Sequence, residues 1–280
     1  MWAPLHAVGP FDPGAWRLYP SFLSGWLLVL GLYLWAVGPG RRLVPGSAPV
    51  PGRQVASFLA GMGLLLVALQ GPLHDLSDTY LFSAHMLQHL LVTLPAPPLL
   101  LYGTPQWLAR PLLRIPVVGG ALRRLTHPLV AFLLNHAVWA FWHVPGPYDL
   151  MMRHHDVHVV VHLLILATGL LLWWPVAGPL PDLRRLSLPL QMVYLFVAGI
   201  PMMLVAAFIT LSESVLYPWY QLAPRTFGLD PLDDQRLGGV LMWVPGTLAL
   251  WVGIAVLFAR WLREERRFDR AAPGSLAAAA

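Results

Sequence analysis

Residues Ser83 to Gly103 read SAHMLQHLLVTLPAPPLLLYG. The stretch is apolar enough to belong inside a membrane, yet it carries His85 and His89 four residues apart, on one face of a helix. A lipid-facing segment has no use for two imidazoles, so their presence must be explained by what the rest of the chain brings beside them.

Windows of the same apolar character recur on both sides of this stretch. Of 280 residues, 57% are hydrophobic and 11% charged, and the mean hydropathy is +0.62, a balance that makes lipid the main solvent. A helix crosses about 30 Å of hydrocarbon with roughly 20 mostly apolar residues. Seven windows fit, with approximate cores Phe22 to Val37, Val55 to Gly71, Tyr80 to Leu101, Leu129 to Trp142, Val157 to Trp174, Leu190 to Leu211 and Gly238 to Trp261. Pro128 and Pro145 bracket the fourth and shortest, as proline does at a helix start or just past an end. No strand alternation or internal repeat competes. The reading is an all-α polytopic membrane protein: a seven-transmembrane-helix bundle forming one domain over residues 1–270, with a low-complexity tail at 271–280 expected to be disordered.

Arginine sets the orientation, because the chain has 18 arginines and no lysine. With the N-terminus outside and the C-terminus cytoplasmic, fourteen arginines face the cytoplasm and four face outward, which is the arrangement the positive-inside rule selects. The basic run RWLREERRFDR, residues 260–270, then reads as an anchor at the lipid headgroups rather than a nucleic-acid patch. The first twenty residues lack a basic segment followed by an apolar one, so no cleavable signal peptide is expected. Cysteine is absent, which excludes disulfides, thiolate ligands and cysteine nucleophiles.

This topology gathers scattered histidines into a layer. At about 1.5 Å per residue, His85 and His89 descend from the outer surface on the third helix, and His136 and His143 lie near the outer end of the fourth. On the fifth, RHHDVHVVVH places His154 or His155, His158 and His162 down one face. His74 joins them at the rim, while His6 and His127 stand apart. Asp75, Asp78, Asp149 and Asp156 are expected at the rim, too few to serve every imidazole as a hydrogen-bond partner. Two i,i+4 pairs at one depth therefore point to a metal or haem rather than to interhelical hydrogen bonding alone.

Imidazole suits copper, zinc, iron or nickel, whereas magnesium and calcium want oxygen cages. A zinc protease would need H-E-x-x-H, and the two pairs read HMLQH and HVVVH. Methionines near the layer, Met86, Met151, Met152, Met202, Met203 and Met242, add weight to copper, since thioethers favour Cu(I), although each also serves as core packing. Bis-histidine haem is the competing reading, but it asks for one histidine per facing helix and gives no reason for pairs within a helix. Phosphate-binding glycine loops and nucleophile elbows are missing, and a retinal Schiff base has no lysine to form on. No enzymatic role is expected.

The ordered segments HDLSDTYLFSAHMLQHLLV, FWHVPGPYDL, HHDVHVVVH with WWP beyond, LYPWY and DPLDDQRLGGVLMW resemble the CtaG-type family of multi-spanning bacterial cytochrome c oxidase assembly proteins, over about Phe22 to Arg267. The resemblance implies a multi-pass protein of the bacterial plasma membrane, with oxidase subunits and the lipid bilayer as partners, no nucleic acid, and copper delivery as its role. A homo-oligomer is compatible with it. It also implies a ligand set of His74, His85, His89, His143, His155, His158 and His162, leaving His136 and His154 outside the pattern. In the last segment, Asp233 or Asp234 is expected at the outer mouth of the seventh helix, and Gly238 and Gly239 are expected to permit close helix approach. Three functions follow as alternatives: a copper-binding assembly factor, a haem- or copper-containing membrane oxidoreductase, and a metal or proton transporter, the last without the half-repeat such proteins show.

Overall fold

A computed structural model describes residues 11–14, 16–225 and 227–271, with side chains described as far as residue 267. His6 and the tail from residue 272 onward lie outside the described residues. Among the described residues there are helices and no strands.

The chain runs through α1 (Pro20–Val37), α2 (Gly52–Leu69), α3 (Gly71–Asp75), α4 (Phe82–Thr93), α5 (Ala96–Gly103), α6 (Gln106–Ala109), α7 (Pro116–Leu125) and α8 (Pro128–Trp142). It continues through α9 (Pro145–Arg153), α10 (His155–Ala177), α11 (Leu188–Thr210), α12 (Pro218–Gln221) and α13 (Pro231–Ala271). Proline stands in the first turn of α1, α7, α8, α9, α11 and α12, where its missing N–H costs nothing and its fixed φ suits the helix.

Five helices, α1, α2, α10, α11 and α13 over Pro231–Arg267, are long and apolar enough to cross a membrane. The pair α7 and α8, bent by 81° at residues 126–127, makes a sixth if counted as one broken span. The third window of the sequence is not one helix. It breaks at Leu94 and Pro95 into α4 and α5, because Pro97 and Pro98 have no N–H to give to the carbonyls of Thr93 and Leu94. The indole of Trp173 on α10 donates to the Thr93 carbonyl at 3.2 Å, replacing the bond that Pro97 removes, as a helix break in an apolar medium requires.

The polarity of the bundle is inverted relative to a water-soluble protein. Leu28, Leu204, Phe208 and Leu248 point outward, while Gln70, Asp78, His85, Gln88 and Gln235 are at most 2% exposed. Apolar outside with polar inside is the arrangement lipid selects. α4 sits between α10 and α13, and α11 packs along α13. The two glycines expected to allow close approach do so: a Cβ on Gly238 would overlap the Phe82 ring of α4, and one on Gly239 would overlap Thr210 at the end of α11.

Candidate metal centre

The site begins where α2 stops. Gly71 takes φ +68° with the Trp16 ring packed against its Cα, a conformation and a closeness that favour glycine, and the chain turns sharply into α3. The next turn, Leu76–Tyr80, is π-helical, with Leu81 N donating to Leu76 O at 2.8 Å. This wider turn, often found at functional sites, buries Ser77, Asp78, Thr79 and Tyr80. α4 then starts against α13. The Asp234 carboxylate accepts from the backbone N–H of Phe82 (2.7 Å) and Ser83 (3.2 Å) and from the Ser83 hydroxyl. It thus caps two of the amides that the start of a helix leaves without partners.

Anchored in this way, α4 carries His85 and His89 into the bundle, where they meet His158 and His162 of α10 and His143 at the C-terminal end of α8. All five are at most 8% exposed. The His85 ring stacks on that of His158 at a centroid separation of 5.4 Å and lies 6.0 Å from that of His162, while His158 and His162 are 4.5 Å apart. His89 lies 5.5 Å from His162 and 5.7 Å from His143. One nitrogen from each of His85, His158 and His162 can be chosen so that all three lie within 4.8 Å of one another, and Nε2 of His85 is 2.9 Å from Nε2 of His89. A metal with Zn–N-like bonds of about 2.0 Å places its ligand atoms roughly 3–4 Å apart, so small ring rotations would suffice to enclose one.

The surroundings fix several rings from behind. His143 donates Nδ1–H to the Trp139 carbonyl at 2.6 Å, which leaves Nε2 with a lone pair and no hydrogen-bond partner. Nδ1 of His89 and Nε2 of His162 are likewise buried and unpartnered. Bare imidazole nitrogens in a dry interior are costly, and a cation would satisfy them. Asp78 places Oδ2 3.6 Å from His158 Nδ1 and 3.5 Å from His74 Nε2, the carboxylate–histidine pairing typical of metal sites. Gln88 spends its amide N–H groups on the Ala68 carbonyl (2.7 Å) and on His74 Nδ1 (3.0 Å), while its oxygen accepts from Ser77. Over the cluster, Tyr148, Tyr217 and Tyr220 form a phenolic cap. Burial pushes all three hydroxyls up from their ordinary pKa, so each keeps its proton.

Of the sequence-predicted histidines, five therefore converge. His74 stands beside them, its ring 6.3 Å from His158 and 6.5 Å from His162, held by Gln88. His155 opens α10, half-buried at the rim, and His154 is exposed. His136 turns elsewhere: its nitrogens face the carbonyls of Phe132 and Ala198, tying α8 to α11. His127 is at the far end of α8 beside Arg184. Asp75 and Asp78 are buried rather than at the rim, the first at the end of α3 and the second folded inward by the π-helical turn. Asp234 is a helix cap, while Asp233 remains exposed near Arg236. Met86, Met151, Met152 and Met242 are core side chains, and Met202 lines a small cavity with Thr93, Asn135 and His136. Gln88, Tyr148 and Tyr220 were missed by sequence reasoning; the available signal was a polar side chain inside an apolar helix for Gln88, and the tyrosine-rich LYPWY loop for Tyr220.

Two mycobacterial proteins share 31% identity with the chain over 278 residues: the uncharacterized protein Mb0105 of Mycobacterium bovis and the uncharacterized protein MT0111 of Mycobacterium tuberculosis. The uncharacterized protein ML1998 of Mycobacterium leprae is 28% identical over 280 residues. Each match takes in 90% of this chain and 40% of the relative, so the chain spans well under half the length of these proteins. No solved structure matches it. Residues 31–264, which include the whole histidine cluster, match the Caa3_CtaG family, and the chain accordingly belongs to the cytochrome c oxidase caa3 assembly factors.

Proposed function

We propose that this chain is a copper-binding assembly factor that holds the ion in the outer half of the bacterial plasma membrane and passes it to a cytochrome c oxidase subunit. His85, His89, His143, His158 and His162 are the ligand pool. His74 supports the set through Asp78 and Gln88, and His155 receives the ion at the rim. The observation that carries this reading is the convergence of five buried imidazoles from three helices, with bare nitrogens on His89, His143 and His162.

Copper, rather than another imidazole-binding metal, follows from the donor set and the family together. Neutral nitrogens with thioethers close by suit copper, and an oxidase requires copper for assembly. A site without thiolates also releases the ion more readily than a thiolate cluster would. Direct ring-to-ring packing at 4.3–6.0 Å within the cluster leaves no slot for a macrocycle, which disfavours the haem oxidoreductase reading.

The topology that goes with this function has seven spans. α4 with α5 makes the third, α8 the fourth, and the arginine asymmetry puts the histidine end of the bundle outside. Elemental analysis and a visible spectrum of the purified protein test the reading. Bound copper without a Soret band is the expected result; haem in place of copper would overturn it.

A further inference from the structure

Tyr220 sits on α12, in the loop that joins α11 to α13, and its hydroxyl reaches four groups. These are the Ser77 carbonyl at 2.5 Å, His85 Nδ1 at 3.1 Å, the Tyr148 hydroxyl at 3.2 Å and the Met152 sulfur at 4.0 Å. A phenol has one proton to give. The carbonyl of Ser77 can only accept, and two oxygens 2.5 Å apart with no proton between them would bring lone pair against lone pair. The Tyr220 proton therefore goes to Ser77. Its oxygen must then accept from its other near neighbours, so Tyr148 donates its O–H and His85 donates Nδ1–H.

We infer that Tyr220 is a positioning residue that selects the Nδ1–H tautomer of His85 and so offers its Nε2 lone pair to the metal. The inference rests on the copper-binding reading for its purpose, though not for its geometry. The neighbouring contact follows from it and is compatible with it. With Nε2 of His85 an acceptor, the 2.9 Å contact to His89 Nε2 must carry a proton from His89, which leaves Nδ1 of His89 as a bare lone pair. That atom is indeed buried and without a hydrogen-bond partner. One proton arrangement thus accounts for all these contacts, from the Ser77 carbonyl through Tyr220 and His85 to His89.

The consequence concerns the loop. The same segment bonds Tyr217 Oη–H to the His143 carbonyl (2.9 Å) and Trp219 Nε1–H to the Asp78 carbonyl (2.8 Å), so it touches the backbone of one ligand and of the carboxylate residue behind the cluster, and a ligand side chain at one place. Only the Tyr220 contact addresses a ring nitrogen. Loss of its hydroxyl leaves the His85 Nδ1–H buried with no acceptor. The alternative moves the proton to Nε2, where it blocks the metal-facing atom and bonds to His89 once His89 shifts its own proton to Nδ1.

Nitrogen-15 NMR of histidine side chains in the copper-free full-length protein tests this, with the His85 signal identified by its loss in His85→Gln. The wild-type protein should show His85 as Nδ1–H. Tyr220→Phe should shift it toward Nε2–H and weaken copper affinity by about 10- to 100-fold, the usual cost of losing an outer-shell partner. Tyr217→Phe, which removes a hydroxyl from the same loop that faces a carbonyl, should leave the tautomer unchanged. A wild-type His85 protonated at Nε2 overturns the inference without recourse to any variant, and so does an unaltered tautomer in Tyr220→Phe. A tautomer that behaves as expected in a protein that holds no copper sinks the copper reading and leaves the positioning role standing.

Discussion

The Nε2 atoms of His85 and His89 lie 2.9 Å apart, one turn from each other on α4, inside a bundle that excludes water. Two neutral imidazoles at that distance share one proton, so His85 Nε2 can turn its lone pair to a cation only when that hydrogen bond opens. Metal loading therefore replaces a hydrogen bond rather than filling a void, and removal of either ring leaves the other without its partner.

Single replacements of His85, His89, His158 or His162 by alanine should each lower copper retention at least tenfold, since the ligands are useful only when mutually placed. Circular dichroism should show the helices intact. His127→Ala, at the opposite end of α8, should retain copper like the wild type; equal loss there would point to a folding defect instead of lost ligation.

Asp78→Asn keeps the shape of the side chain and removes the charge that faces His158 Nδ1 and His74 Nε2. A fall in copper affinity of about 10- to 100-fold is expected, measured by competition with a chelator of known affinity. An unchanged affinity would show that the carboxylate serves only the fold.

Asp234→Ala removes the cap from the start of α4. The loss should be about 0.5–2 kcal/mol, the range for helix caps, read as a lower thermal midpoint in detergent. Copper stoichiometry should stay at the wild-type value, because the residue anchors the helix and touches no imidazole. Lost copper with an unchanged midpoint would contradict this division of labour.

The helices and the histidine layer were legible in the sequence because both rest on local periodicity. Apolar windows set the helix positions, and i,i+4 spacing put His85 with His89 and His158 with His162. The break between α4 and α5 was legible only in part: Pro95, Pro97 and Pro98 announce an interruption, but the Trp173 bond that makes it tolerable spans 80 residues. What supports the site was hidden for the same reason. Asp78 reads as a rim carboxylate until the π-helical turn folds it inward, Asp234 caps a helix 151 residues away at Ser83, and Tyr220 reaches His85 across 135 residues. No periodicity encodes such pairings.

Topology can be checked by reporter fusions. Fusions after Arg124 and after Arg185 should report the cytoplasm, and fusions within residues 212–236 should report the outer side, as the arginine distribution requires. An external signal at Arg124 would place the histidine end on the wrong side of the membrane for delivery to the oxidase.

The measurement that bears most directly on the central claim is copper per oxidase in membranes of cells lacking this protein. The oxidase polypeptides should be present and copper-deficient, His89→Ala or His158→Ala should reproduce the deficit, and added copper should restore part of it by mass action. Oxidase with a full copper content and lost activity would contradict copper delivery.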